Sequence, residues 1–205
     1  TRHRDAVLLD VGATIDCRPR HLLQFAAMGT VYAERVLGIK NPRVGLLSIG
    51  EEAIKGNELT RDAHHLLSSS DIRFIGNLEA RDLYSGDADV VVCDGFTGNV
   101  ALKVSEGLVE VFEDLLRDEL SRTFTTQLGY LLSRRSYRRF RRRVDYSEYG
   151  GAPLLGVAGL AVVGHGRSSV KAVRNALALT HRFVNEDFVQ SIDESMSSLS
   201  SERRN

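Results

Sequence analysis

Thiols are scarce in this chain. Cys17 and Cys93 are the two cysteines among 205 residues, and they lack the spacing of a metal site. They read as reduced, buried thiols in a cytoplasmic protein. Charge of one sign is wanting as well: 27 Lys and Arg balance 27 Asp and Glu. That excludes a global field for nucleic acid and confines any charge effect to local patches. No apolar run reaches the roughly 18 residues of a membrane-spanning helix. The opening TRHRDAVLLD lacks the long apolar segment of a secretory signal. No G-x-S-x-G elbow, H-E-x-x-H pair or G-x-x-x-x-G-K-[ST] loop occurs. No obvious nucleophile is left, and neither a metal nor another cofactor is expected. The chain opens on Thr1 without an initiator methionine, and a strand-like block follows almost at once. An N-terminal portion is expected to be missing.

What is present is an alternation of short apolar blocks with amphipathic stretches. The chain is 42% hydrophobic, enough for one sizeable core. Blocks at 6–11, 44–49, 72–76, 89–94 and 160–165 predict strands. Several are nearly continuous apolar runs, as in strands covered on both faces. Helices are predicted at 20–38, 58–69, 99–121 and 168–184. In the third, Ala101, Val104, Leu108, Phe112 and Leu115 form one stripe, which the chain's own sheet is expected to cover. The pattern predicts a single α/β domain over 1–205, with a mainly parallel sheet and helices on both faces. In such sheets ligands collect outside the carboxyl ends of the strands. The serine-rich tail, 195–205, is expected to fray.

The segment 123–144, TFTTQLGYLLSRRSYRRFRRRV, differs from the rest. It carries seven arginines between Arg134 and Arg143, interleaved with Tyr137 and Phe140. Phe124, Leu128, Leu131 and Leu132 share one helical face; Tyr137, Phe140 and Val144 share a roughly opposite one. One straight helix cannot bury both groups on one side, so a break is expected near 133–136. The helical segment from about 110 to 144 needs another apolar surface, and a two-fold partner is the usual source. A homodimer is therefore expected. Leu128, Leu131 and Leu132 beside Arg138 and Arg139 also suit an anionic membrane surface. Peripheral attachment from the cytoplasm is the expectation.

Four strand ends carry small or polar residues. After the first block come Asp10, Gly12 and Asp16; after the second, Glu51, Glu52, Lys55, Gly56 and Asn57. After the fourth come Asp94, Gly95, Thr97, Gly98 and Asn99; after the fifth, His165, Gly166, Ser168 and Ser169. Glycine lets backbone approach a ligand closely, and a following helix N-terminus attracts anions. Each residue also has a plainer reading. Lys55 can be a solvated cation, Asn99 a helix cap, Asp94 a brace for its turn, and His165 a core or capping histidine. Four such loops at corresponding strand ends point to an anion site, with phosphate as the leading anion.

At this level the motifs match a family. LLDVGATIDCRP, GLLSIGEEAIKGNELT, FIGNLEARD, ADVVVCDGFTGNVALK, EYGGAPLLG and HGRSSVKAVRNA resemble the bacterial acyl-ACP:phosphate transacylases (ACP, acyl carrier protein). These are the phosphate acyltransferases that begin phospholipid synthesis. The resemblance covers nearly the whole chain except 110–145 and the tail. It implies a homodimeric three-layer α/β/α fold, related to isocitrate and isopropylmalate dehydrogenases, with a protruding amphipathic helical segment. It implies the conversion of long-chain acyl-ACP and inorganic phosphate to acyl phosphate and ACP. The family's further N-terminal region, with its aspartate- and glycine-rich loop, has no match here.

The same resemblance places Lys55 and Asn99 at the reacting centre. Lys55 would neutralise phosphate or the developing oxyanion, and Asn99 would donate to the tetrahedral intermediate. Asn57, Asp94, Gly95, Thr97, Gly98, His165, Gly166 and Ser168 would line the phosphate and substrate pocket. A phosphotransacetylase-like enzyme using acyl-CoA, and a non-catalytic membrane- or partner-binding fragment, remain alternatives.

Overall fold

The computed structural model describes residues 5–144, 150–164, 166 and 168–201, with backbone alone at 141–144 and 200–201. The chain divides into two compact units. The first comprises Thr1–Ala101, Leu154–Ala161 and Thr180–Asn205; the second comprises Leu102–Pro153 and Val162–Leu179.

The first unit is built on a four-stranded parallel sheet. Its strands are β1 (Val7–Leu9), β2 (Val44–Leu47), β3 (Phe74–Leu78) and β4 (Val90–Val92), in the order β1-β4-β2-β3. The α/β class and the parallel pairing are as the apolar blocks predict. Connection direction decides which face each crossover takes. From β1 to β2, and again from β2 to β3, the chain moves the same way across the sheet. Right-handed crossovers then put α1 (Pro19–Arg35) and α2 (Glu58–Ser68) on one face. There α1 packs on β1, β4, α2 and the C-terminal helix α6 (Phe188–Ser201). The return from β3 to β4 runs the other way. Its 3-10 turn, Ala80–Tyr84, therefore lies on the opposite face, where Leu83 packs with Leu47, Leu78, Ala88, Val91 and Cys93.

With both faces covered, β2 and β4 are buried along their full length. Alternate residues serve the two sides. Gly29 of α1 passes so close to Val90 that a methyl group there would press on its side chain. Val91, the next residue, faces Leu47 and Leu83 instead. At the far end of α1, Tyr32 meets Phe183 and Phe188 edge-on at 6.0 Å, and those two rings stack at 4.6 Å. Phe183 ends α5 (Val170–Asn185) within the first unit.

The second unit contains most of α3 (Gly95–Ser121) and all of α4 (Phe124–Val144). It also holds a two-residue antiparallel pair, β5 (Ala152–Pro153) with β6 (Val162–Val163). Gly150, at φ +78°, lies so close to Ala172 and Ala176 of α5 that no side chain would fit.

Several expectations are corrected. The block 160–165 does not extend the parallel sheet; only Val162 and Val163 pair, and they pair antiparallel with β5. Its pairing partner is the short segment Ala152–Pro153, and its apolar run is bounded by Gly159 and Gly164. The stripe Val104, Leu108, Phe112 and Leu115 is not covered: each residue is more than half exposed, because α3 buries only Gly95 and Gly98. The helix 124–144 is unbroken at 133–136, where Ser133 Oγ donates to the Gly129 carbonyl at 2.7 Å. The break was required only if both apolar groups had to be buried on one side, and Phe124, Leu131 and Leu132 are exposed. The tail is helical as far as Ser201, because Phe188 and Ile192 are buried one turn apart and anchor α6.

One ion pair ties the amino ends of β2 and β4. The buried Asp89 carboxylate accepts from Arg43 Nε at 3.0 Å, Nη2 at 3.1 Å and the Arg43 backbone N–H at 2.9 Å. That hydrogen bonding raises the guanidinium pKa further above its ordinary value. Arg43→Ala removes the guanidinium from a buried carboxylate and should cost about 3 kcal/mol. Asp89→Asn keeps an acceptor for the backbone N–H and should cost about 1–2 kcal/mol. Urea denaturation of both variants checks the order, and the reverse order would contradict this account.

Candidate active site at the strand ends

The carboxyl ends of β1, β4 and β2 lie side by side in the sheet. At the end of β1 sits Asp10, only 3% exposed. Its Oδ1 accepts the N–H groups of Gly12 and Ala13 at 2.9 Å, and its Oδ2 that of Thr14 at 2.6 Å. A buried carboxylate without such partners would be costly; here three donors bend the loop around it.

The loop is then tied to the next strand. Asp10 N donates to the Cys93 carbonyl at 2.9 Å, and Gly95 N donates to the Thr14 carbonyl at 2.9 Å. The first turn of α3 is pressed against this loop. A Cβ on Gly95 would stand 2.6 Å from Thr14 O, and one on Gly98 would collide with Asp10 O. These two glycines are required by contact, with no unusual φ involved. Asn99, the next residue, lies over Gly12: a Cβ there would be 3.7 Å from Asn99 Cβ and Cγ.

Asp94 and Thr97 serve the helix start. Asp94 Oδ1 accepts from Thr97 N at 2.8 Å, and Asp94 Oδ2 accepts from Thr97 Oγ at 2.7 Å. Helix α3 begins at Gly95, so Asp94 is its cap and Asn99 lies one turn inside. The capping reading of Asn99 is thereby removed, and the bracing reading of Asp94 holds. Asn57 likewise caps α2, its Oδ1 accepting from Thr60 N at 2.9 Å.

Lys55 lies on the loop between β2 and α2, exposed, with its stem against Gly50. The loop is fixed from several sides. Lys55 N donates to Glu52 O at 2.9 Å, and Ser48 Oγ donates to Lys55 O at 3.3 Å. From β3, the buried Asn77 donates its Nδ2 to Glu52 O at 2.9 Å. Gly56, at φ +103°, leaves no room for a side chain beside Thr60 and Ser48. Among the described residues, neither the Lys55 ammonium nor the Asn99 carboxamide has a hydrogen-bond partner. The edge therefore offers a cation, an amide and close-packed glycine backbone on neighbouring strands, a set suited to an oxyanion.

Of the sequence candidates, Lys55, Asn57, Asp94, Gly95, Thr97, Gly98 and Asn99 all belong to this edge of the first unit. Gly166 and Ser168 belong to the second unit, and His165 lies outside the described residues. Asp10 and Gly12 read in sequence only as parts of a polar loop, and Thr14 has no sequence reading of its own, yet all three frame the site. The available signal was an aspartate ending an apolar strand just before V-G-A-T. Among the described residues, no three His, Cys, Asp or Glu side chains cluster as a metal site would require.

Neither thiol is poised as a nucleophile. Cys93 is buried, and burial, followed by the charges of Asp94 and Asp10, pushes its pKa up to about 12. Burial also raises Cys17, whose Sγ donates to the Thr14 carbonyl at 3.2 Å. An unfolded cysteine ionises near about 8.5. Between that value and the raised one, the unfolded chain loses a proton that the folded chain keeps. Stability present below about pH 8.5 is therefore lost as pH rises towards 12. Denaturation between about pH 8.5 and 10.5 should show a steeper loss in the unmodified chain than in Cys93→Ala. Parallel curves would contradict the burial account.

Comparison with known proteins agrees with the motif reading. The model of a family described as fatty acid synthesis protein matches residues 1–191. A phosphate acyltransferase of Citrifermentans bemidjiense is 52% identical over 193 residues, covering 92% of this chain and 55% of that protein. One from Syntrophotalea carbinolica is 55% identical over 180 residues, covering 88% and 52%. One from Heliobacterium modesticaldum is 52% identical over 188 residues, covering 92% and 56%. The chain thus spans about half the length of the curated relatives it matches. By a match that runs through both units and every strand end described above, the chain belongs to the fatty acid synthesis protein family.

Proposed function

We propose that this chain carries the reacting centre of a phosphate acyltransferase that makes acyl phosphate from long-chain acyl-ACP and inorganic phosphate, the first step towards phosphatidic acid. The observation that carries the reading is the pairing of Asn99 with the Gly12 loop at the edge where the Lys55 loop also ends. The relatives' shared name supplies the reaction class.

The chemistry suits a site without a nucleophilic side chain. Phosphate is itself the nucleophile. Its relevant pKa is near neutral, roughly 6 in phosphate monoesters, so much of it is already a dianion. One phosphate oxygen attacks the thioester carbonyl carbon, and the carbonyl oxygen becomes an oxyanion. The carbon–sulfur bond then breaks, and the carrier leaves as a thiolate, with a pKa of about 8.5. The protein must place two reactants and stabilise charge. Lys55 offsets the charge of phosphate or oxyanion, and Asn99 donates to the tetrahedral intermediate. Asp94, Thr97 and Asn57 hold the helix starts that present them, and Gly95 and Gly98 admit the close approach. The motif resemblance assigns Gly166, Ser168 and His165 to phosphate or substrate binding as well.

Lys55→Ala should abolish most turnover in the full-length enzyme with little loss of stability. Asn99→Ala should lower kcat by roughly 10²–10³. Acyl phosphate measured directly, with ACP and CoA donors compared, tests the roles and the carrier together. Near-normal turnover in both variants would remove these residues from the mechanism.

The exposed helices support a homodimer and attachment to the cytoplasmic face of a membrane. Leu128, Leu131 and Leu132 are exposed at helical spacing, with Arg138 and Arg139 exposed further along α4. Among the described residues, no helix is long and apolar enough to cross a membrane. Each basic residue near an anionic surface contributes about 1 kcal/mol, which favours reversible attachment. Release of a reactive, poorly soluble acyl phosphate at the bilayer limits its hydrolysis. Flotation should show binding to anionic vesicles that salt weakens. Replacing the three leucines with serine should reduce it, with sedimentation confirming that the dimer persists. Salt-insensitive binding, equal on neutral vesicles, would sink the membrane reading.

A further inference from the structure

A cavity of about 330 Å³ opens within the first unit, against the same loop that frames the strand-end site. Thr14 belongs to both. Its N–H is held by Asp10, its carbonyl receives Gly95, and its side lines the cavity. The opposite walls are Leu155 and Gly156, from the segment 154–161, and Met196 of α6.

The α1 wall is graded. It is formed by positions 21, 24, 25 and 28, the spacing of one helix face. His21 and Gln24 stand at the start of the helix, near the Thr14 loop in sequence. Phe25 and Met28 follow, buried, further along. At 1.5 Å per residue the face spans roughly 10 Å, polar first and apolar after. Such a gradient fits an amphiphile whose polar end lies by the strand ends and whose tail runs along α1. Two methionines and a phenylalanine provide an adaptable, apolar lining. Gly156, at φ +79°, keeps the wall open beside Met28, whose Sδ is 3.4 Å from where a Cβ would stand.

We propose that this cavity binds the hydrocarbon chain of the acyl donor and sets the enzyme's chain-length preference. The proposal rests on the phosphate acyltransferase reading above. It adds a location for the tail, reached from the reacting carbonyl past Thr14, and names Leu155, Met28 and Met196 as specificity-determining residues.

The test uses the full-length enzyme and two filling variants, Leu155→Trp and Met196→Trp, at wall positions that are only half-buried. Turnover is measured with acyl donors of about 4 to 16 carbons on one carrier, and binding with a fluorescent long-chain fatty acyl probe. With filling, kcat/KM for the longest donors should fall about tenfold or more, while the shortest change less than about twofold. The KM for phosphate should stay constant, and probe binding should weaken in parallel. Met196→Ala, which enlarges the cavity, should move the optimum towards longer chains. An unchanged chain-length profile in folded variants, or a loss equal at all lengths, would overturn the proposal. The two readings separate cleanly. Probe binding that responds to the tryptophans without any acyl phosphate formation keeps the cavity and rejects the reaction. Acyl phosphate formation with probe binding indifferent to them does the reverse.

Discussion

The carboxylate of Asp10 accepts three backbone N–H groups from the loop that follows it, and the strand-end architecture hangs on that arrangement. Buried charge in a parallel sheet is costly unless compensated, and no cation is needed where three oriented donors converge. Satisfying Asp10 curls residues 10–14 back towards the sheet. The curl aims the Thr14 carbonyl at Gly95, which fixes where α3 can start. The start of α3 in turn places Asn99 over Gly12. One carboxylate thus determines the position of an amide almost ninety positions away in sequence, through contacts each shorter than 4 Å.

The glycines express the same constraint from the other side. Gly95 and Gly98 are buried in the first turn of α3, where their backbone touches the Asp10 loop. A helix that must approach a loop this closely cannot carry side chains at those two positions. Glycine there lowers helix propensity by about 1 kcal/mol each, and the capping pair Asp94–Thr97 offsets part of that cost at the same turn. Gly56 meets a different demand, a positive φ at the close of the Lys55 loop. The D-G-F-T-G-N motif therefore divides its labour. Aspartate and threonine hold the helix end, the glycines permit approach, and Asn99 keeps a carboxamide without partners among the described residues.

Much of this was legible in the sequence, for reasons that can be named. Apolar runs such as VVVC and VGLL signal strands buried on both faces, and the sheet has them at its centre. Glycine, aspartate and asparagine after those runs mark the loops, and the site lies there. What failed to show was tertiary. Asn99 looks like a cap because nothing local reveals that Asp94 caps a helix starting at Gly95, four residues before the predicted start. The block at 160–165 has strand composition, but Val162 and Val163 pair with Ala152 and Pro153, a partner that composition does not reveal. The stripe of α3 and the arginine-rich α4 suggest burial by periodicity alone, and periodicity says nothing about which molecule covers a face. Asp10 was the costliest omission, since three backbone donors leave no trace in side-chain pattern.

The thiols show how the same packing shapes the chemistry. Cys93 directly follows β4, beside the strand-end loop, yet its sulfur donates to the Asp10 carbonyl at 3.4 Å and its pKa is driven up to about 12. A thiolate there would face two carboxylates in a dry environment, so the fold holds the thiol neutral. For the proposed acyl transfer to phosphate, neutrality has a functional consequence. A reactive thiolate beside a thioester would capture the acyl group before phosphate could. In the proposed reaction, a buried, protonated Cys93 leaves exogenous phosphate as the competent nucleophile, through the loop–strand contact that also positions Asn99. In that proposal, the exclusion of a rival reaction and the placement of Asn99 are two outcomes of one packing arrangement around Asp10.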